Sequence, residues 1–346
     1  MKANSIDIAY RAGVSQSTVS RALRNSPLVN KETRERIQAI AKELNYKVDK
    51  NASNLRMQNS KTIALLLFED PTSDDSLINP FFLSMLGSIT KATAKSGYDL
   101  LVSFQQMHAD WHADYEDSNK ADGIILLGYG DYEDYKSKLT QLLEQGTHFV
   151  RWGAQSKDLA VVSVGCSNVD GGYQITKYLL GLERKRMAFL GGADSSCPEF
   201  WDRYRGHCQA LKEQGFDIDD TMQIDAITTE ESGYQAACKL IDMNKPFDAI
   251  FAASDLIAIG AIRALKENYI RVPKDVAVVG FDNIATASSV SPPLTTMKQD
   301  TVKAGEILVE SLLNMIEGKE VNSVQMKTEL VVRKSCGAQL KPNEFY

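Results

Sequence analysis

Residues 4–23 read NSIDIAYRAGVSQSTVSRAL, and this stretch decides the fold of the N-terminal part of the chain. Asn4 and Asp7 have the spacing of a capping box at the start of a helix. Gly13 supplies the positive φ that ends this helix and turns the chain. Ser15 is a capping residue for a second helix. The stretch therefore predicts two short helices joined by a tight turn.

The apolar residues of this region recur at helical spacing and predict a small three-helix core. A third helix is expected to begin at Asn30. The inward-facing residues of the three helices are Ile8, Ala9 and Ala12, then Val19, Ala22 and Leu23, then Ile37, Ile40, Ala41 and Leu44. The arrangement is a helix-turn-helix, whose second helix enters the major groove of DNA.

The outward residues of the second helix suit base recognition, because Gln pairs with adenine and Arg with guanine. They are Gln16, Ser17, Thr18, Ser20 and Arg21. Two short helices with a glycine turn also occur in ordinary packing, so charge decides between the two readings. Residues 1–60 carry eleven Lys/Arg against five Asp/Glu, a balance of +6, whereas the whole chain is −6, which leaves −12 for residues 61–346. A basic head on an acidic body favours DNA binding.

Length and composition exclude several classes of protein. A chain of 346 residues that is 43% hydrophobic is long enough for two or three domains. No apolar run reaches the roughly 20 residues of a membrane helix, and no signal peptide is recognised at the N-terminus. The five cysteines, at 166, 197, 208, 238 and 336, lack metal or redox spacing. Reduced thiols in a cytoplasmic protein are expected.

From Thr62 onward, short apolar runs alternate with helical segments. This alternation predicts an α/β fold with parallel sheets of the doubly wound type, in two lobes. The expected strands are 62–68, 100–104, 123–127, 149–151, 161–164, 187–190, 249–252 and 276–280. The expected helices are 81–95, 132–145, 171–182, 200–214, 230–242 and 256–269. Ligands of such folds bind beyond the carboxyl ends of the strands.

Enzymatic and metal-binding patterns are weak. Gly128-Tyr129-Gly130 lacks the third glycine of a dinucleotide-binding loop. His108 and His112 have i, i+4 spacing, but no third ligand accompanies them, so a solvated helix face is favoured over a metal site. No nucleophile and base are paired in a recognisable motif. The sequence therefore disfavours an enzyme and predicts neither metal nor cofactor.

The whole chain resembles the lactose-repressor/galactose-repressor (LacI/GalR) family of transcriptional regulators. The resemblance rests on residues 12–15, 17–21, 33–37 and 44–46 of the head, and on 79–82, 280–283 and 292–296 of the body. It implies an all-α helix-turn-helix headpiece at 1–46, a hinge at 47–60, and a two-lobed body at 61–340 like periplasmic binding proteins. The lobe boundary is expected near 162, and a crossover between the lobes near 292–300.

The resemblance also implies which residues contact the DNA operator. In the headpiece they are Ser15, Gln16, Ser17, Thr18, Arg21 and Asn25. In the hinge, Leu55 is at the position of an apolar wedge that enters the minor groove, with Ala52 beside it. Val48-Asp49 stands where the family has Pro-Asn, so the start of the hinge helix differs here.

The body is expected to bind a small effector, without a cofactor, and to form a homodimer or a tetramer. The resemblance places the effector contacts at Asp170, Arg203, Ser254, Asp282 and Gln299. Phe82 and Trp152 are aromatic candidates to stack on a ring, with core packing as their alternative role. Trp201 is a further aromatic candidate, and Asp170 has the alternative role of a helix cap. Asp, Arg and Gln suit the paired hydroxyls of a sugar.

A purine nucleobase is the alternative effector. Purine-responsive members of the family have an Arg six residues before the position of Arg203, where this chain has Cys197. This difference favours a sugar. A sugar-transport protein is the alternative function, but it would need a secretion signal and no headpiece.

Overall fold

The computed structural model describes residues 4–23, 25–44, 46, 59–68, 79–105, 109–128, 132–155 and 158–338. Seven residues named individually above lie outside these ranges: Val48, Asp49, Ala52, Leu55, His108, Tyr129 and Gly130. The chain divides into two compact units, Met1–Ser60 and Lys61–Tyr346. The first is the headpiece with the hinge segment, and the second is the body.

The headpiece contains the three predicted helices, α1 (Ser5–Ala12), α2 (Gln16–Leu23) and α3 (Lys31–Glu43). The capping box of Asn4 and Asp7 is present in full, and Gly13 has a φ of 62°. Ser15 Oγ accepts a hydrogen bond from the Thr18 N–H at 3.2 Å, which starts α2. The core comprises the predicted apolar residues together with Val14, Val29 and Tyr46.

The body is built from strands and helices that alternate along most of its length. The strands are β1 (Thr62–Phe68), β2 (Asp99–Gln105), β3 (Gly123–Leu127), β4 (Phe149–Trp152), β5 (Ser163–Cys166), β6 (Met187–Leu190), β7 (Gln223–Ile224), β8 (Ala249–Ala252), β9 (Ala277–Asp282), β10 (Thr295–Lys298), β11 (Val324–Met326) and β12 (Glu329–Val331). The helices are α4 (Pro80–Lys95), α5 (Tyr132–Glu144), α6 (Asn168–Gly181), α7 (Pro198–Glu213), α8 (Glu230–Asp242), α9 (Asp255–Glu267) and α10 (Thr301–Ile316). A π-helix covers Ala113–Asp117, and 3₁₀ turns cover Asp220–Met222 and Ala285–Ser288.

Two six-stranded sheets form the two lobes. Their orders are β11-β5-β4-β3-β1-β2 in the N-terminal lobe and β12-β10-β9-β8-β6-β7 in the C-terminal lobe. The predicted α/β class and parallel sheets are confirmed, apart from β12, which pairs antiparallel with β10. Parallel sheets covered on both faces have strands that are apolar throughout. Accordingly, every residue of β3, β4, β8 and β9 is buried.

The chain passes between the lobes three times within the described residues. It leaves the first sheet after β5 and returns after β10, at Gln299 and Asp300, inside the range expected for the crossover. Helix α10 then packs on α4, and β11 joins the first sheet before β12 returns to the second. The lobes are therefore linked by three segments of backbone.

Three sequence-based boundaries around the first passage between the lobes differ from the structure. The first crossing falls at Ser167 instead of near 162, because Ser163–Cys166 still pairs with β4 and β11. The strand expected at 161–164 is accordingly shifted by two residues. The helix expected from Gly171 begins at Asn168, so Asp170 lies inside its first turn and does not open it. The two-residue β7, β10 and the C-terminal β11 and β12 were not among the expected strands, and α10 was not among the expected helices.

Within the described ranges, no helix is long and apolar enough to cross a membrane. All five cysteines are free thiols. Burial raises the pKa of both Cys166 and Cys197 to about 12, so these two thiols are protonated at neutral pH and poor nucleophiles.

Candidate functional site

The surface of α2 carries the side chains expected to read DNA. Gln16, Ser17 and Arg21 are exposed, while Thr18 is half-buried. The Ser15 hydroxyl lies 2.8 Å from that of Ser17 and 2.9 Å from that of Thr18. The start of α2 therefore presents a hydroxyl cluster, and Arg21 in its last turn supplies a forked cation; both are suited to phosphate and base contacts.

Two polar contacts position the ends of α2. Gln16 Nε2 donates to Ser5 Oγ at 2.7 Å, which ties the first residue of α2 to the first residue of α1. Asn25 has a φ of 57° and accepts a hydrogen bond from Gln38 Nε2 at 2.8 Å. This bond fixes the turn after α2 against α3, and Asn25 accordingly has a structural task within the headpiece.

In the body, Arg203 is the centre of a buried polar cluster. It lies on α7 and is fully buried. Its Nε donates to Asn168 Oδ1 at 2.9 Å, and its Nη1 donates to the Ala253 carbonyl at 2.5 Å. The guanidinium stacks on the Phe281 ring at 3.9 Å. These contacts fix the plane of the guanidinium, which a bidentate donor requires.

Asp282 and Gln299 complete this cluster. Asp282 Oδ1 lies 3.9 Å from Arg203 Nη2 and accepts a hydrogen bond from Gln299 Nε2 at 2.7 Å. Asp282 has a φ of 111°, a backbone conformation that costs energy for any residue but glycine and is concentrated at functional sites. We name Asn168, Arg203, Asp282 and Gln299 the arginine cluster. All four side chains are buried.

Burial raises the pKa of the Asp282 carboxyl to about 6, although Arg203 and the hydrogen bond from Gln299 favour its ionised form. A second carboxyl, Asp255, is also fully buried. Asp255 accepts hydrogen bonds from Thr296 Oγ1 at 2.5 Å and from the Ile284 N–H at 2.9 Å. Burial, together with the charge of Asp282, raises the pKa of Asp255 well above its usual range.

Sequence reasoning placed Asp170 in the effector site, and the structure does not bring it into the arginine cluster. Asp170 is exposed, and its carboxylate accepts a hydrogen bond from Gln174 Nε2 at 2.6 Å. Because α6 begins at Asn168, the residue that faces Arg203 is Asn168, and the side chain two positions later points elsewhere on the helix.

Two glycines explain how Asn168 reaches Arg203. A Cβ atom at Gly172 would lie 2.1 Å from the Arg203 carbonyl oxygen, and one at Gly206 would lie 2.0 Å from the Val169 carbonyl oxygen. Helices α6 and α7 therefore cross at backbone contact, which only glycine permits. The sequence analysis missed Asn168, although the glycines at 172 and 206 were a signal that the two helices approach closely. It also missed Asp255.

The remaining predicted effector residues differ in exposure. Phe82 and Trp152 are both buried, and the intervening Phe81 ring is 5.3 Å from the first and 5.8 Å from the second. Ser254 is buried and caps α9 through the Ile257 N–H at 3.4 Å. Trp201 is 38% exposed, so it lies at the surface and outside the arginine cluster.

The histidine pair offers no metal site that can be described, because His108 is outside the described ranges. His112 Nδ1 lies 2.9 Å from Thr147 Oγ1. Among the residues that the structure describes, no group of three His, Cys, Asp or Glu side chains is placed to hold a metal ion.

Two family models match the chain. Residues 6–49 match the lacI family of bacterial regulatory proteins, and residues 176–336 match the periplasmic binding protein-like domain. The HTH-type transcriptional regulator MalR of Clostridium butyricum is 32% identical over 339 residues, 95% of this chain and 98% of that protein. The chain belongs to the lacI family. It is therefore a DNA-binding transcriptional regulator.

Solved structures agree with this membership. The chain is similar to the transcriptional regulator CelR in complex with cellobiose, with 29% identity, a TM-score of 0.71, and coverage of 96% of this chain and 99% of that one. It is also similar to the Lac repressor dimer bound to operator and the anti-inducer ONPF, with 25% identity, a TM-score of 0.83, and coverage of 97% and 99%. The helix-turn-helix and the two-lobed body therefore occur together in known regulators.

Proposed function

We propose that this lacI-family member is a repressor of carbohydrate-utilisation genes, whose affinity for its operator is set by a small sugar bound between the lobes. The observation that carries the proposal is the arginine cluster. It combines a fixed forked donor, a carboxylate and two amides in one buried place, beside the strand ends where ligands of this fold bind. A sugar offers adjacent hydroxyls that both donate and accept, and this set can satisfy them.

The sugar is favoured over a nucleobase by the chemistry around Cys197. The purine-responsive pattern needs a cation at this position, and here the residue is a neutral thiol whose pKa burial raises to about 12. The similar CelR structure contains cellobiose, which supports a carbohydrate in a cleft of this kind. We expect Ser254, Phe82 and Trp152 to line the same cleft.

For DNA binding we propose Ser15, Gln16, Ser17, Thr18 and Arg21 as contacts, with Asn25 positioning the turn. Ala52 and Leu55 remain the proposed minor-groove contacts of the hinge. The protein is proposed to act in the cytoplasm on double-stranded DNA, without a cofactor.

We propose a homodimer as the binding unit, since a dimer matches the two halves of a pseudo-palindromic operator. The N-terminal lobe has apolar side chains that suit a subunit interface. Val102 and Phe104 are 42% and 46% exposed on β2, an edge strand, and Leu83 is 55% exposed on α4. Natural proteins rarely leave an apolar edge strand uncovered. The Lac repressor dimer is a structural relative that supports this assembly.

A thermal-shift screen tests the effector class. The full-length protein is titrated with cellobiose, maltose and ribose, and in parallel with adenine, guanine and hypoxanthine. A specific ligand stabilises the native state by RT ln(1 + [L]/Kd), about 2.7 kcal/mol at a hundredfold Kd. We expect a saturable rise in Tm with a sugar, and a much smaller rise in Gln299→Ala. A saturable response to nucleobases alone would contradict the proposed sugar.

A further inference from the structure

A hydrogen-bonded chain of three side chains crosses from one lobe to the other. Asn79, directly before α4 in the N-terminal lobe, donates from Nδ2 to Thr228 Oγ1 at 3.1 Å. Thr228, in the loop between β7 and α8 of the C-terminal lobe, donates in turn to Ser254 Oγ at 3.1 Å. We name these three residues the interlobe relay. The hydroxyl of Thr228 is its central group: it accepts the hydrogen bond from Asn79 and donates one to Ser254.

Both ends of the interlobe relay are anchored to the start of a helix. Asn79 Oδ1 accepts the Phe81 N–H at 2.9 Å and so caps α4. Ser254 Oγ caps α9 through the Ile257 N–H. Because a capping side chain has little rotational freedom left, the relay joins two rigid helix ends instead of two mobile side chains. Thr228 and Ser254 are 6% and 1% exposed, so water competes little for these bonds.

A second contact between the lobes lies elsewhere on the same cleft. Glu199, in the first turn of α7, accepts the backbone N–H of Ala154 at 2.7 Å. Ala154 follows β4 of the N-terminal lobe, and its carbonyl oxygen accepts a hydrogen bond from Arg151 Nη2. Glu199 and Arg151 are both buried. The two interlobe contacts share no residue, so they can report on each other only through the relative position of the lobes.

We propose that the interlobe relay is a built-in latch that biases the lobes toward the closed arrangement, and that Thr228 is its positioning residue. Thr228 sets how often the cleft is closed, and it acts through Asn79 and Ser254 without contacting the effector. A ligand that binds only the closed cleft has its apparent affinity scaled by the closed fraction. The latch therefore tunes sensitivity to every effector by the same factor. This consequence rests on the proposed effector function, whereas the latch itself does not.

Hydrogen exchange at the Ala154 amide tests the latch. Its bond to Glu199 breaks when the lobes separate, so its exchange rate reports the open fraction. The measurement uses mass spectrometry with residue-level fragmentation on the full-length protein, with no sugar added. Thr228→Val keeps the shape of the side chain and removes both relay bonds. Only the bond from Asn79 to Thr228 crosses between the lobes. The net loss of this one hydrogen bond is expected to speed Ala154 exchange roughly two- to tenfold.

Matched variants separate a latch from a local packing effect. Thr228→Ser restores the hydroxyl and should restore slow exchange. Thr90→Val removes a hydroxyl that donates to the Leu86 carbonyl within α4, and should leave Ala154 unchanged. Asn79→Ser keeps a capping oxygen but removes the amide donor, and should act in the same direction as Thr228→Val. Folded Thr228→Val and Asn79→Ser proteins with unchanged Ala154 exchange would overturn the proposal.

The outcome is independent of the sugar screen. If the latch fails, the proposed sugar binding at the arginine cluster is unaffected, because the substituted relay residues, Asn79 and Thr228, are not among the proposed effector contacts. If the sugar screen fails, faster exchange at Ala154 in Thr228→Val still shows that the lobes are latched.

Discussion

The side-chain amide of Gln299 donates a 2.7 Å hydrogen bond to Asp282, the last residue of β9. Gln299 lies where the chain leaves the C-terminal lobe, and Thr301, two residues later, has its hydroxyl 3.2 Å from that of Ser84 on α4. We therefore expect a displacement of Asp282 by a ligand to reach the helix that also bears the exposed Leu83. These contacts lie between the proposed effector site and the proposed subunit interface, which allosteric control would have to couple.

Arg203→Ala should abolish the response to the effector and also destabilise the body. The substitution leaves Asp282 buried without its cation and removes the donors to Asn168 and Ala253. Breaking a buried pair in this way costs about 3–5 kcal/mol. Chemical denaturation measures the loss, and the sugar titration measures the response. Arg205→Ala on the same helix is the control, because its exposed pair with Asp202 should contribute at most about 1 kcal/mol. Wild-type effector affinity in a folded Arg203→Ala protein would remove Arg203 from the site.

Asp282→Asn should change the pH dependence of the free energy of unfolding. The pKa of Asp282 is raised to about 6 in the folded protein, so the folded state holds this proton more tightly than the unfolded state. The contribution of Asp282 to stability is therefore fully present below its unfolded pKa of roughly 4 and is lost as pH rises through 6, by about 3 kcal/mol in total.

Two other buried groups, His207 and Asp255, also have shifted pKa values, so the pH dependence is compared between the wild type and the Asp282→Asn variant. Burial lowers the pKa of His207 to about 4, which gives the opposite slope, since this stability is lost as pH falls below the unfolded value. Burial raises the pKa of Asp255, which gives the same sign as Asp282. Both groups persist in Asp282→Asn, but loss of the Asp282 charge also removes one of the causes that raise the pKa of Asp255. The difference between wild type and variant, from denaturation curves at pH 4, 5, 6 and 7, therefore reports Asp282 together with its effect on Asp255, and identical slopes would refute the raised pKa of Asp282.

Arg21→Ala should weaken DNA binding by about 1–3 kcal/mol and relax the preference at one base pair, because Arg pairs with guanine in the major groove. The operator is first selected from random DNA with the wild-type protein, and affinities are then measured at several salt concentrations. Arg36→Ala, on the exposed surface of α3, is the control. If it affects binding at all, it should do so equally across sequences, with a shallower salt slope. Unchanged base preference in Arg21→Ala would assign the reading to other residues.

Val102→Asp should shift the protein from dimer to monomer. A carboxylate on the edge strand β2 would be buried without a partner in the proposed interface, which costs several kcal/mol. Sedimentation velocity measures the assembly state. Val332→Asp, at a comparable exposure of 44% beyond β12, is the matched control and should remain dimeric. A tetramer in the wild type would add a second interface, and a dimeric Val102→Asp protein would place the subunit contact elsewhere.

The sequence by itself determined the local structure. Capping residues, glycine turns and apolar spacing act within a few residues of one another, and they predicted α1, α2, α3 and eight of the eleven strands that pair in parallel, missing β7, β10 and β11. The positions of Arg203, Asp282 and Gln299 in one cluster also followed, because the family pattern places each of them at a strand end or a crossover.

Only the tertiary structure decided which neighbour each of these side chains meets. Asn168 replaced Asp170 as the partner of Arg203, because the close approach of α6 and α7 depends on glycines that lie 34 positions apart, at Gly172 and Gly206. The pairing of Thr228 with Asn79 depends on how two lobes close, and β11 and β12 exist only because other strands offer them an edge. Such contacts join residues far apart in the chain, so their geometry is set by packing and cannot be inferred from local sequence pattern.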